Sequence, residues 1–139
     1  MIKLRNNALV VCDVKRGQWG TEERERIILE TARTDGSSVQ VYIEQEPGSG
    51  GKESAEATIR GLAGFACKAD RPTGDKAFRA DPYSVQVNNG NIGMLYAPWN
   101  EGFIEEHRFF PFGTYKDQVD ATAAAFNHLT LKRTVGRIT

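Results

Sequence analysis

The chain has 139 residues, 40% of them hydrophobic and 26% charged, and its 18 Lys+Arg balance 18 Asp+Glu. That length and mix suit a single domain burying roughly two-thirds of its unfolded surface; the zero net charge excludes a global field for a polyanion, though not a local basic face. No apolar run approaches the ~18 residues of a membrane span, Met1-Ile2-Lys3 does not open a signal peptide, and Cys12 and Cys67 stand apart without CxxC spacing, so a cytoplasmic protein with reduced thiols is expected.

In chain order, Ile2 to Leu4 reads as a strand stub closed by Asn6-Asn7. Ala8 to Val14 (ALVVCDV) is apolar on both faces and predicts a central strand. After the basic, glycine-flanked KRGQWG, Thr21 is the expected N-cap of a helix. Glu22, Glu23 and Glu25 suit the positive end of its dipole. Ile27, Ile28, Thr31 and Ala32 form its apolar stripe, and Asp35-Gly36 ends it. The next strand starts at Val39, and strand, helix and strand at this spacing predict a βαβ unit with ALVVCDV and the Val39 strand as parallel neighbours.

The Val39 strand is β-branched and aromatic, so it reads as buried. It ends on Glu44 and Glu46, before Pro47 and a glycine-rich turn. A helix is expected from Glu53 to Gly61, a short strand from Phe65 to Lys68, and a turn at DRPTGD. Lys76 to Val87 reads as a helix that Pro82 should interrupt. Asn88 to Asn91 is a turn, Ile92 to Tyr96 a strand, and Glu101 to Arg108 a short helix. The loop Phe110 to Gly113 precedes a last helix, about Lys116 to Leu131, with Val119, Ala123, Phe126 and Leu129 inward. Residues 132–139 form a basic tail. The alternation predicts an α/β fold.

Three groups of residues suggest chemistry. Gly48 to Lys52 resembles a phosphate loop, but Glu46 stands where that motif needs its first glycine and Glu53 where it needs Ser or Thr, so nucleotide binding is not expected. Asp13 and Glu44 lie at strand ends, while Asp117 and Asp120 open the last helix. Carboxylates so delivered suit Mg²⁺ or Mn²⁺, and two such ions can hydrolyse a phosphodiester. The plainer alternatives are helix capping for Asp117 and Asp120 and strand-end solvation for Asp13. Lys15, Arg16, Trp19, Arg71, Lys76 and Arg79 offer contacts to phosphates. His107 and His128 lack zinc-site spacing.

Taken in order, DVKRGQW, IEQEPGSGGK, RPTGDKAFRA, NNGNIGMLYAPWN, the FFPFG loop and KDQVDATAAAF resemble the nuclease domain of the large terminase subunit of tailed bacteriophages and prophages, across nearly the whole chain. The resemblance implies a ribonuclease H-like mixed sheet flanked by helices, spanning residues 1–131. It also implies cleavage of double-stranded phage DNA during packaging, in the bacterial cytoplasm, with two Mg²⁺ or Mn²⁺ ions. The strand-end glutamate of the family falls on Glu44 and its late aspartate on Asp117, with Asp120 beside it. Lys116 stands where some relatives carry a further aspartate.

ALVVCDV corresponds to the family's third strand and Ile2 to Leu4 to its second. The resemblance therefore leaves the first strand, its metal-bridging aspartate and the preceding ATPase domain without counterparts, an N-terminally truncated fold. Either another polypeptide or a partner in a homo-oligomer supplies that strand, or Asp13 takes the aspartate's place. Expected partners are DNA, the terminase ATPase part, the small subunit and the portal. The rival expectation is a non-catalytic remnant that binds DNA or assembly partners; a branched-DNA resolvase is a third.

Overall fold

The computed structural model describes residues 1–130, so the basic tail expected at 132–139 lies outside the described residues. The fold is α/β: strands β1 (Ile2–Lys3), β2 (Leu9–Val11), β3 (Val41–Glu44), β4 (Cys67–Asp70) and β5 (Ile92–Met94), with helices α1 (Thr21–Asp35), α2 (Ser49–Gly61), α3 (Lys76–Asn88), α4 (Asn100–Phe109) and α5 (Asp117–Thr130). It divides into two compact units, one formed by Gly17–Thr73 and the other by Met1–Arg16 with the chain from Gly74 onward.

The unit holding both ends of the described chain contains a three-stranded mixed sheet in the order β1-β2-β5. β1 runs antiparallel to β2, with Asn7 turning the chain at φ 67°, and β5 runs parallel to β2. β2 is central, as its two apolar faces predict, and Leu9 and Val11 are buried. Leu9 joins Ala80 and Tyr83 of α3 and Val119, Ala123 and Phe126 of α5 in one core, with Met1, Ile92 and Phe110 at its margin. The i, i+3, i+4 spacing within each helix turns these side chains to a single stripe. Burying such a stripe is what holds α3 against α5.

The Gly17–Thr73 unit is built on β3, α2 and β4, and β3 pairs in parallel with β4, Glu44 lying opposite Asp70. This corrects the expected pairing. The neighbour of β3 is the strand after it, and β2 and β3 belong to separate small sheets instead of one continuous mixed sheet. β3 is also half-exposed, with Tyr42 and Glu44 outward and Val41 and Ile43 partly covered, so it is not the buried strand its composition suggested. Ala32, Ala55, Thr58 and Leu62 are buried, and the Thr58 hydroxyl donates to Glu25 Oε1 at 2.8 Å, tying α2 to α1.

Helices α1, α2 and α3 depart from expectation, and α4 is one residue longer at each end than expected. α1 starts at Thr21, so Gly20 holds the cap position and no side chain caps it. α2 starts at Ser49 instead of Glu53, which makes Gly50 and Gly51 helical; Gly48, at φ 95°, turns the chain into it. α3 continues through Pro82. Asp81 and Pro82 lie on its exposed face while Ala80 and Tyr83 anchor the other, so packing outweighs the backbone bond that proline removes.

Candidate functional site

α3 and α5 each carry charged residues at i, i+3 spacing, one turn apart on one face. Asp75 caps α3 by accepting the Phe78 amide at 2.7 Å, which sets Lys76 and Arg79 in the first turn. Asp117 and Asp120 occupy the first turn of α5. Packing of α3 on α5 brings the two pairs together across 41 residues of sequence. Lys76 Nζ lies 2.8 Å from Asp117 Oδ1 and 3.7 Å from Asp120 Oδ2. Arg79 Nη2 donates to both oxygens of Asp120, at 3.0 and 2.9 Å, while its Nη1 donates to the Gly74 carbonyl at 2.7 Å.

The two aspartates therefore differ in kind. The Asp120 side chain is 7% exposed and both its oxygens are engaged by cations. It also lies in the first turn of α5, at the positive end of the helix dipole. The Asp117 side chain is 90% exposed, and only its Oδ1 is engaged. Of the two, Asp117 alone has open coordination for a divalent cation. Among the described residues no three His, Cys, Asp or Glu side chains gather into a group that could hold a metal ion.

α5 starts where it does because a residue of α4 holds it there. Glu106 is buried; its Oε2 accepts the Val119 amide at 2.8 Å and its Oε1 accepts the Gln118 side-chain amide at 3.0 Å. A carboxylate at this place satisfies a helix N-terminal amide and complements the dipole. Sequence reading missed Glu106. The signal was present: Phe103, Glu106 and His107 at i, i+3, i+4 place Glu106 on the buried stripe of α4.

The remaining candidates are dispersed. Asp13 lies two residues beyond β2, exposed, accepting the Val14 amide at 2.9 Å and pairing with Lys15 at 3.1 Å. Because β2 and β3 do not pair, the strand-neighbour argument that linked Asp13 to Glu44 does not hold. Lys15 is thus turned to Asp13, and Arg16 stacks over the Tyr115 ring at 4.6 Å. Glu44 ends β3, exposed, in the other unit. Arg71 Nε donates to Gln45 Oε1 at 3.3 Å, and Trp19 lies over Gly17, where a Cβ would meet its ring.

His107, given little weight from sequence, belongs to a partly buried polar chain. Its Nδ1 donates to the Phe103 carbonyl at 2.7 Å and its Nε2 accepts the Tyr83 hydroxyl at 2.9 Å, the neutral tautomer that a carbonyl partner requires. Burial lowers the His107 pKa, against smaller opposing effects of the Phe103 carbonyl and the Glu106 charge, and burial pushes the Tyr83 phenol far up.

No helix among the described residues is long and apolar enough to cross a membrane. No protein-family model, curated protein or solved structure matches this chain.

Proposed function

We propose that the chain is a terminase-like, ribonuclease H-like nuclease domain that hydrolyses DNA phosphodiesters with Mg²⁺ or Mn²⁺. The observation that carries this reading is the cluster on α3 and α5. Two acids assigned by the resemblance, Asp117 and Asp120, meet two bases read as phosphate contacts, Lys76 and Arg79, within hydrogen-bonding distance. In this reading Asp117 is the acid that takes a cation, and Lys76 is released to a phosphate when it does. Arg79 keeps Asp120 fixed beneath them. The resemblance assigns Glu44 as a further ligand. Further support comes from the antiparallel β1–β2 pair followed by parallel pairings in both sheets, with helices between strands. DNA, the ATPase part, the small subunit and the portal are the partners this function would entail, in a bacterial cytoplasm.

The experiment is plasmid cleavage by the purified chain in Mn²⁺, with Asp117→Asn and Glu44→Ala alongside. Nicking that both substitutions abolish in folded protein is the expected result. A wild-type chain that melts at the same temperature with and without Mn²⁺ and leaves the plasmid intact would overturn it.

One observation favours a second reading, a non-catalytic domain that binds DNA or assembly partners. Asp120 is closed off by Arg79 and Lys76 as a structural ion pair would be. Under that reading Asp117→Asn and Glu44→Ala are silent in every assay of binding and stability.

A further inference from the structure

The loop between α4 and α5, with the residues bracketing it, reads Arg108-Phe-Phe-Pro-Phe-Gly-Thr-Tyr-Lys116: a cation at each end, four aromatics between, and no carboxylate. Phe110 turns inward against the core. The other three aromatics do not. Phe109 is 55% exposed, Phe112 96% and Tyr115 57%. The turn itself ejects Phe112. The amides of Phe112 and Gly113 both donate to the Phe109 carbonyl, at 2.8 and 2.9 Å, which folds the chain tightly back and leaves the Phe112 ring no inner surface. Gly113 permits the closure, since a Cβ there would come within 3.0 Å of Phe109 Cβ.

Exposing three large rings within seven residues is costly in water and marks a binding surface. The charge around these rings says for what. Arg16 lies 4.6 Å over the Tyr115 ring. Arg16, Arg108 and Lys116 take part in no ion pair among the described residues, unlike Lys76 and Arg79 nearby in the same unit. Arg16 over the Tyr115 ring, with Arg108 and Lys116 at the two ends of the aromatic segment, complements a chain that is anionic along its backbone and aromatic along its bases. A duplex hides its base faces, whereas a single strand offers them.

We propose that the segment Arg108 to Lys116, with Arg16 stacked on Tyr115, is a base-stacking platform for single-stranded DNA. Phe112 and Tyr115 stack successive bases, Arg108 and Lys116 hold the phosphates on either side, and Arg16 holds the Tyr115 ring in place by cation–π contact. The platform ends one residue before Asp117, so it would present a frayed or locally opened strand to the candidate site. It rests on the reading that DNA is the substrate, but not on cleavage.

The test is fluorescence anisotropy of labelled oligo-dT of about 12 nucleotides, within the range of single-stranded sites, in EDTA so that no cutting occurs. The wild-type chain should bind it more tightly than a duplex of equal length. Phe112→Ala and Tyr115→Ala should each weaken binding about tenfold or more, as loss of one stacked base does. Phe112→Trp should restore it, with melting temperatures unchanged because these rings are exposed. Unchanged affinity in both alanine variants overturns the proposal. So does a loss confined to Arg108→Ala with no preference for single strands, which is phosphate binding alone. So does self-association in sedimentation that Phe112→Ala abolishes without any DNA binding. Wild-type protein that binds oligo-dT through Phe112 yet never cuts in Mn²⁺ sinks the nuclease reading and leaves the platform standing.

Discussion

Arg79 closes on Asp120 through a single nitrogen, Nη2, shared between the two carboxylate oxygens at 3.0 and 2.9 Å. The pair is worth little as net stability, because two charges had to leave water to form it, but removing Arg79 leaves the buried Asp120 with only the longer contact to Lys76, at 3.7 Å. Arg79→Met keeps the stem packed and removes the charge beneath which Asp120 is buried. It should cost about 3 kcal/mol in urea unfolding, by analogy with other broken buried pairs. Arg79→Met combined with Asp120→Leu should recover most of that loss. A double variant no more stable than the sum of the singles would mean the two residues are not coupled.

Asp117 is the contrasting case one turn earlier. Its pairing with Lys76 is short, at 2.8 Å, but the Asp117 carboxylate stands in solvent. Exposed ion pairs contribute roughly 0–1 kcal/mol. Asp117→Asn should therefore leave the unfolding midpoint within about 1 kcal/mol of wild type while removing whatever cation binding the cluster has. Calorimetric titration with Mn²⁺ reads that directly. Binding retained in Asp117→Asn would assign the cation to another acid.

Glu106 should prove the most sensitive acid in the chain. Glu106→Leu leaves the Val119 amide and the Gln118 side chain without an acceptor in a buried place, at about 1–3 kcal/mol for each unsatisfied group. Glu106→Gln can keep both hydrogen bonds, because Gln118 can flip its amide and accept where it previously donated. Amide exchange at the start of α5 should accelerate strongly in the leucine variant and mildly in the glutamine variant. Equal protection in all three proteins would show that α5 does not depend on this cap.

Elements whose residues carry their own local reason were legible in the sequence. The end of α1 at Asp35-Gly36, the Asn88 to Asn91 turn, the centrality of β2 and the inward face of α5 at Val119, Ala123 and Phe126 follow from turn chemistry and period alone, although Leu129, expected on that face as well, is exposed. What was not legible depended on tertiary choice. β3 could pair with the strand before it or the one after, and nothing local to Val41–Glu44 distinguishes the two. The start of α2 looked like a glycine turn because glycine propensity argues against helix, yet Gly50 and Gly51 are helical. At the site, charges were nameable one by one, but that Lys76 and Arg79 would be held by Asp117 and Asp120 required knowing that α3 lies on α5.

Gly51 turns that failure into a prediction with an unusual sign. In an exposed helix Gly→Ala ordinarily stabilises by roughly 0.5–1 kcal/mol. Here a Cβ at Gly51 would fall onto the Glu46 carbonyl, with the Glu46 carbonyl carbon only 2.7 Å away, and that backbone cannot yield as a side chain would. Gly51→Ala should destabilise, whereas Gly50→Ala, which meets nothing within 4 Å, should be neutral or stabilising. Both are read from the urea midpoint. The same sign for the two substitutions would mean α2 shifts freely away from the Glu46 backbone.

The Tyr83–His107–Phe103 chain sets a pH dependence whose sign can be worked out. Burial lowers the folded-state pKa of His107, while in the unfolded chain the imidazole titrates near its ordinary value of about 6.5. As pH falls through about 6.5, the unfolded state takes up a proton that the folded state still refuses, so unfolding is favoured and stability drops. The loss is confined to the window below about 6.5 and ends once the folded imidazole also protonates. Tyr83 stays a phenol throughout, its pKa raised by burial, so it remains the donor to Nε2. His107→Gln can accept from Tyr83 but does not titrate. It should flatten the stability slope between about pH 5 and 6.5, above the range where most carboxylates contribute. Equal slopes in wild type and His107→Gln would mean that the folded chain accommodates the imidazolium, with the Tyr83 hydroxyl swung away from a nitrogen that no longer accepts.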